Sequence, residues 1–468
     1  MDSTSQPDMF LALPNALLVL IISFLPFKEC VSTSVLSNRW RYLCHETRNI
    51  SFKESDFLNH SFSNQESRMD ARASFFRNIR QWIPIIQDQA FIESFEICVS
   101  FPIGYVDEIK DLIKLVVSKK VKKLSLDFSK PAWRGYNDVS RFDLIVELPE
   151  CFYSLTTLES LKIFACEFDP SRFANPGLLR SLTIGWIRLT KVESLLSKSP
   201  LLKILRIKQC WGLDLTMIDG QLRELVVENS DFSYMTCSFD LPNVDSFTYS
   251  GDVISFHFDK INKIIKEVYI EFGLEGEYDE PNQSTIVEGE VLSGFLNNIR
   301  GARKLTVCPY LLQVIHECEN PYYLLHPIET QHLVLRTKMH PKEFNGIRLL
   351  LNNCPNMKTL TFDILPPSFP AAFSYAGIDP RTYWMQNISY KCLRKTLKVI
   401  TVNNFGGGSN ELNILRYLIR SGGGCGVLER VEIYMRNTSK ENQRMTTLAR
   451  AAMLQRTSGR VQVLVHNV

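Results

Sequence analysis

The 468-residue sequence predicts an α/β protein, a short N-terminal helical module followed by a curved solenoid with strands on its concave side and helices on its convex side. Two observations carry that prediction. Residues 13 to 43, LPNALLVLIISFLPFKECVSTSVLSNRWRYL, crowd three short apolar segments around Pro14 and Pro26. From residue 91 onward a phrase then recurs with apolar residues at its first, fourth and sixth positions. The first pattern has helical spacing and the second ends in period-two alternation, which belongs to a strand.

In the N-terminal module, Leu17, Leu18, Ile21, Ile22 and Leu25 follow Pro14 at helical spacing, and Pro at the first turn suits a helix start. Pro26 ends that segment. A second helix is predicted from Lys28 to about Leu36, with Val31, Val35 and Leu36 on its apolar side. Ser37 is placed to cap a third helix carrying Trp40 and Leu43. Three helices this short bury little surface alone, so some apolar surface must stay open or meet a partner. A further helix is predicted from Ser67 to Gln87, with Phe75, Phe76, Ile79, Trp82 and Ile86 near one face, packing the module onto the first repeat.

The recurring phrase reads IESFEI at 92, VKKLSL at 121, LESLKI at 158, LRSLTI at 179, LKILRI at 202 and LRELVV at 222. It continues as VDSFTY at 244, IKEVYI at 265, ARKLTV at 302, MKTLTF at 357, LKVITV at 397 and LERVEI at 428, with TQHLVL at 330 a partial match. Leu161, Leu182, Leu205, Leu225, Phe247 and Val268 are spaced by 21, 23, 20, 22 and 21 residues. That falls in the leucine-rich-repeat period of roughly 20–29 residues. Cys166 and Cys210 occupy the Asn/Cys position of the phrase, whereas Ser230, Tyr310 and Phe405 weaken that ladder.

Helices are expected between strands at Val106 to Ser118, Leu189 to Ser197, Val291 to Asn298 and Phe344 to Leu351. No strand–helix unit buries its apolar face alone; stacking makes the core. Residues between the strand leucines then point away from it: Lys162, Phe164, Arg206, Lys208, Glu228, Tyr269, Glu271, Arg336, Glu432 and Tyr434. Each alone reads as solvated surface, but together they are the candidate substrate face. Leu365 to Pro370 and Arg381 to Ser389 are expected to be irregular and to form a loop beside that face.

Composition limits the function classes. Hydrophobic residues at 45%, charged residues at 22% and a net charge of +3 describe a globular chain without the electrostatic footprint of a nucleic-acid binder. The longest apolar run, Leu17 to Leu25, falls short of the about 20 residues that span a bilayer. Asp2 and Asp8 precede it where a secretory leader carries basic residues. No membrane association is expected, and the expected location is cytoplasm and/or nucleus. The 12 cysteines contain no CxxC pair, so zinc spacing is absent and buried free thiols are expected.

No catalytic residue, metal or cofactor is predicted. Gly406 to Gly408 and Gly422 to Gly426 match no phosphate-loop pattern and read as turns. His316, His326, His332 and His340 lack metal-ligand spacing. The run Lys119, Lys120, Lys122, Lys123 reads as a solvated helix end leading into a strand.

The N-terminal stretch resembles an F-box through Leu13-Pro14, Leu17-Leu18, Ile21-Ile22-Ser23, Leu25-Pro26, Lys28-Glu29, Val31, Ser34 to Ser37 and Arg39-Trp40-Arg41. Asn15, Leu20 and Cys44 depart from the usual pattern. The segment from Leu397 to Met435 resembles the FBD region of plant F-box/FBD/LRR proteins in LKVITVNNF, ELNILRYLI and LERVEIYM, and Thr447 to Val465 fits the same region. The glycine insert Gly422 to Gly426 departs from it. These resemblances divide the chain into an F-box (10–50), a helical junction (51–90), leucine-rich repeats (91–396) and an FBD-like region (397–468).

They imply docking to a Skp-family adaptor and, through it, a cullin–RING ubiquitin ligase. Leu13, Pro14, Leu18, Ile22, Leu25, Pro26, Val31, Leu36 and Trp40 are then the candidates for that interface or its support. The expected role is a non-catalytic substrate-recognition subunit of an SCF-type ligase, with an unknown target protein on the solenoid. A small-molecule-sensing receptor and a non-degradative scaffold are the alternatives.

Overall fold

A computed structural model describes the chain apart from residues 1–9, 11, 58–64, 101, 131–145, 235, 262–263, 273–282, 318–325, 367–377, 387, 438–440, 458 and 467–468. It divides into two compact units, Met1–Leu215 with Asp231–Ser233, and Thr216–Ser230 with Tyr234–Val468.

The first unit opens with helices α1 (Asn15–Ser23), α2 (Phe27–Ser32) and α3 (Asn38–His45). The second helix is shorter than its apolar spacing predicts, because Thr33–Val35 tightens into a 3-10 turn. The Ser37 cap forms as expected: its Oγ accepts from the Trp40 N–H at 3.3 Å. Strand β1 (Asn49–Lys53), helix α4 (Gln65–Asp88) and strand β2 (Ser94–Cys98) follow, then α5 (Val106–Ser118), β3 (Lys123–Asp127) and α6 (Glu150–Tyr153). The unit continues with β4 (Ser160–Phe164), β5 (Ser181–Gly185), α7 (Val192–Ser197) and β6 (Ile204–Lys208).

Strands β1 to β6 pair in sequence order, each parallel to the next. Their register stacks Ile50, Phe95, Leu124, Leu161, Leu182 and Leu205 in one row, and none is more than 2% exposed. Each such burial contributes about 1.5–3 kcal/mol. This row explains why one apolar position per repeat survives in so divergent a sequence. The ladder begins at Asn49, earlier than the first recurring phrase at residue 92.

The junction helix α4 packs the helical module onto this sheet. Phe27 of α2 meets Trp82 at 4.8 Å and Phe52 of β1 at 5.5 Å between ring centroids. Gln89 Nε2 donates to the carbonyls of His45 and Thr47. Beneath them Glu54, 1% exposed, accepts from Arg72 Nε and the Ser100 N–H, both at 2.7 Å.

In the second unit come β7 (Met217–Asp219), β8 (Glu224–Glu228), β9 (Thr236–Leu241), β10 (Ser246–Gly251), β11 (Ser255–Ile261) and β12 (Glu267–Phe272). Next are α8 (Gln283–Asn298), β13 (Lys304–Val307), α9 (Pro309–Val314), β14 (His332–Thr337), α10 (Phe344–Asn353) and β15 (Thr359–Ile364). The unit closes with α11 (Pro380–Tyr383), α12 (Lys391–Lys395), β16 (Val399–Phe405), α13 (Ser409–Gly424), β17 (Arg430–Met435), α14 (Glu441–Gln455) and β18 (Gln462–His466).

The parallel order is β8-β10-β12 and then β13 to β18 in sequence. The row Leu225, Phe247, Val268, Leu305, Leu333, Leu360 continues through Ile400, Val431 and Val463. A second, three-stranded sheet, β11-β9-β7, occupies positions where helices were expected to cover the repeats. Its Phe239, Phe256 and Phe258 join Phe247 and Phe295 in an aromatic cluster.

Several local expectations are corrected. TQHLVL forms a full strand from His332 to Thr337. The helix expected from Leu189 starts at Val192, because Lys191 before it is left-handed, with φ 58°. Arg381 lies in a helix that Asp379 caps through the Arg381 N–H, so the segment around it is not wholly irregular. That segment packs on α10 and α13, with Trp384 against Phe344 and Tyr417, and does not lie beside the strand face. Most of Leu365 to Pro370 lies outside the described residues. Gly422 to Gly424 end α13 and are not a turn; a Cβ on Gly422 would stand 3.0 Å from Leu428.

One regularity was not legible. Ala165, Trp186, Gln209, Asn229, Gly251 and Asn404 each follow a strand's row residue by four positions, and each has positive φ. They turn the chain out of the sheet at the end of these six repeats.

Candidate functional site

The helical module sorts its apolar residues into two sets. Leu18 and Ile22, at 0% and 1% exposure, hold α1 against its neighbours. Leu17, Leu20, Ile21 and Phe24 stand at i, i+3, i+4 and i+7 on the other side of the helix, and all four are exposed. Val35 and Leu36, at 82% and 65% exposure, add to the apolar surface of the same module. Apolar side chains in this number on so small a module mark an interaction surface.

Among the residues expected at the interface, Leu36, Pro14 and Pro26 are exposed, while Leu13, Leu25, Val31 and Trp40 are half-buried. Leu18 and Ile22 can only support it. Leu17, Leu20, Ile21, Phe24 and Val35 are the surface residues that selection by motif missed. The i, i+3, i+4, i+7 spacing was the signal that could have found them. Arg39 braces the module's entry: its Nε donates to Asn15 Oδ1 at 2.9 Å, and its guanidinium also reaches the Leu13 carbonyl. Asn15, which departs from the acidic residue usual there, thus keeps an acceptor for that arginine. Trp40 is covered by Phe10 edge-on at 5.8 Å.

The second candidate is the face of the strands turned from the leucine rows. None of its ten predicted residues is buried. In the first unit, Lys162 and Arg206 flank Thr183, and Phe164 and Lys208 flank Gly185, on adjacent strands. Phe164 lies over Gly185, where a Cβ would stand 2.5 Å from the ring, and tilts against Trp186 at 5.8 Å.

In the second unit Arg336 gathers two other predicted residues, Glu271 and Tyr269, together with Asp363. Its guanidinium pairs with the Glu271 carboxylate and donates to the Tyr269 hydroxyl at 2.6 Å, and its Nε lies 3.8 Å from Asp363. Tyr269 also donates to Glu271. Burial raises the Tyr269 phenol above its ordinary range, against the pull of Arg336. Glu271 is two strands from Arg336. The reach succeeds because the intervening β13 ends at Val307, and Cys308 turns inward to hydrogen-bond Phe272. Beside this cluster a cavity of ≈ 570 Å³ is lined by Glu228, Thr248, Ser250, Glu267, Tyr269 and Glu271, among others. Glu432 and Tyr434 stand apart on β17, where Tyr434 stacks on His466 at 4.6 Å.

The glycine turn at 406–408 has a definite occupant. Glu411, 8% exposed, accepts the Gly406 and Gly407 N–H groups through Oε2, both at 2.9 Å. Burial raises its carboxyl pKa. The amides that could cradle a phosphate are therefore taken by the chain's own carboxylate. His340, half-buried, caps a 3-10 turn by accepting the Lys342 N–H at 3.3 Å. Cys166 and Cys210 are free thiols with 0% exposure, and burial raises the Cys210 pKa to about 12.

Comparison with known proteins bears on the helical module and on the family of the chain. The F-box domain description matches residues 10–51. A putative F-box/LRR-repeat protein of Arabidopsis thaliana is 59% identical over 467 residues, covering 99% of this chain and 98% of the relative. A second putative F-box/LRR-repeat protein of that plant is 52% identical over 475 residues, at 99% and 98% coverage. A putative F-box protein, also from Arabidopsis thaliana, is 49% identical over 472 residues and covers 100% of both chains.

Proposed function

The chain belongs to the plant F-box/LRR-repeat family, and we propose that within it the chain is the substrate-recognition subunit of an SCF-type ubiquitin ligase. The exposed apolar set Leu17, Leu20, Ile21, Phe24, Val35 and Leu36 carries this reading. It supports docking to a Skp-family adaptor, with Leu18 and Ile22 as the core beneath. The adaptor then links the chain to a cullin–RING ligase. The parallel strand array of each unit supports a leucine-rich-repeat recognition surface, with Lys162, Phe164, Arg206 and Lys208 in the first unit and Glu228, Tyr269, Glu271, Arg336, Glu432 and Tyr434 in the second as the candidates that receive a target protein. Ubiquitin transfer would gain its rate from holding target lysines near the charged conjugating enzyme, not from a side chain of this protein.

The test is reconstitution with a Skp-family adaptor, cullin and RING subunit. The full chain should co-purify with the adaptor, and partners captured by the strand face should be ubiquitinated in the assembled complex. A Val35→Asp plus Leu36→Asp variant should lose both, with the repeat units still folded. Undiminished co-purification of that variant would overturn the assignment. Adaptor binding without ubiquitination of any captured partner would favour a scaffold instead.

A further inference from the structure

Away from both surfaces, a notch of ≈ 280 Å³ opens between the segment after α11 and the helix α13. Trp384, Ile388 and Tyr417 form apolar walls, Met385 stands beside them, and Gln386, Ser389, Arg420 and Ser421 supply the polar part of the lining. Met385 and Ile388 are exposed at 68% and 42%. The walls are braced: the Tyr417 hydroxyl donates to the Ile388 carbonyl at 2.5 Å, and Arg348 lies over the Tyr383 ring and donates to Gln386 at 2.9 Å. The apolar mouth is therefore held open on a rigid support.

We propose that this notch is a docking site for an acidic partner peptide that inserts one apolar side chain. Three observations point to that occupant. The volume lies just below the roughly 300–1,000 Å³ of pockets that enclose a whole small-molecule ligand, so it suits a single side chain. The indole N–H of the lining residue Trp384, only 3% exposed, is buried without an acceptor. A peptide carbonyl or carboxylate supplies what it lacks. The surrounding chain is also predominantly basic. Between residues 379 and 429 the sequence holds seven Arg and Lys residues against three carboxylates, of which Asp379 caps α11, Glu411 is turned inward onto its glycine amides and Glu429 is paired with Lys398. Such a field recruits acidic segments and repels basic ones. The inference goes beyond adaptor docking and does not depend on it.

The experiment is fluorescence anisotropy on the full-length protein with three fluorescein-labelled nonapeptides. One has a leucine among aspartates, one has the aspartates replaced by lysine, and one has the leucine replaced by glycine. The aspartate–leucine peptide should bind saturably, and the other two at least tenfold more weakly. Arg420→Glu and Ile388→Asp, both at exposed positions, should each weaken it at least tenfold while melting temperature and adaptor co-purification stay unchanged. Binding that ignores both substitutions, or that does not need the leucine, overturns the proposal. So does displacement of the peptide by free phenylpropionate at equal concentration, which would make the notch a small-acid site. Self-association abolished by Arg420→Glu would place a second copy there and equally refute it.

Discussion

Replacing Phe24 and replacing Leu18 should separate docking from folding within a single helix. Phe24 is 79% exposed and Leu18 is 0% exposed, although both lie in one apolar run. Fully burying a phenylalanine is worth about 1.5–3 kcal/mol. Covering the exposed fraction of Phe24 therefore contributes up to about 2 kcal/mol to adaptor binding, and Phe24→Ala should weaken the complex by roughly 30-fold. The free protein should hardly notice, since substitutions at open positions stay within about 0.5 kcal/mol. Leu18→Ala should reverse the pattern, costing the fold about 2–5 kcal/mol through a cavity among α1, α2 and α3. Titration calorimetry with a Skp-family adaptor reads the first effect, and denaturant melts of the free protein read the second. The reasoning is refuted if Phe24→Ala binds as tightly as the parent, or if Leu18→Ala leaves the melt unchanged.

Three further outcomes are expected. Gly346→Ala should destabilise the second unit by about 3 kcal/mol or more, because its Cβ would stand 2.0 Å from the Leu312 carbonyl oxygen, which is backbone and cannot turn away; thermal unfolding measures it. Glu54→Ala should cost about 3–5 kcal/mol by removing the buried ion pair with Arg72 and leaving the Ser100 N–H without its acceptor, and combining it with Arg72→Leu should cost less than the sum of the two single changes in a double-mutant cycle. Burial, aided by Lys342 and Lys338, lowers the His340 pKa to about 4 in the fold, against about 6.5 unfolded. The unfolded chain then takes the proton first, so stability is complete above pH 6.5 and falls as pH drops toward 4. His340→Gln should flatten that part of the profile in melts taken across the range.

The strands were legible because each exposes one edge of a two-residue alternation to a fixed row of leucines. LESLKI, LRSLTI and LKILRI all begin their strands two residues in, at Ser160, Ser181 and Ile204. The Ser37 cap was legible because a hydroxyl before a helical run has few other uses there. The facing of α1 was not. LLVLIISFL is apolar on every side, so its hydrophobicity could not say which residues meet the core and which stay open. The β7, β9 and β11 strands were hidden for a different reason. They lie between main-sheet strands in sequence, so their phrases, MID, TCSFDL and SFHFDKI, fall off the 20- to 23-residue spacing that marks the row. Arg336 was found on the outer face, but its reach across β13 depends on where that strand stops, which is a property of three repeats together.

The left-handed corners after the strands impose a substitution spectrum of their own. A side chain branched at Cβ is sterically penalised at positive φ, so valine, isoleucine and threonine should be depleted at Ala165, Trp186, Gln209, Asn229 and Asn404 in any saturation library selected for folding. Size and polarity, by contrast, are unrestricted by the backbone there, as alanine, tryptophan, glutamine and asparagine in this one chain already illustrate. Each repeat with such a corner therefore contains a position that demands a shape and not a chemistry. Such positions let the rim of the array change its surface freely while the corner beneath keeps its angle.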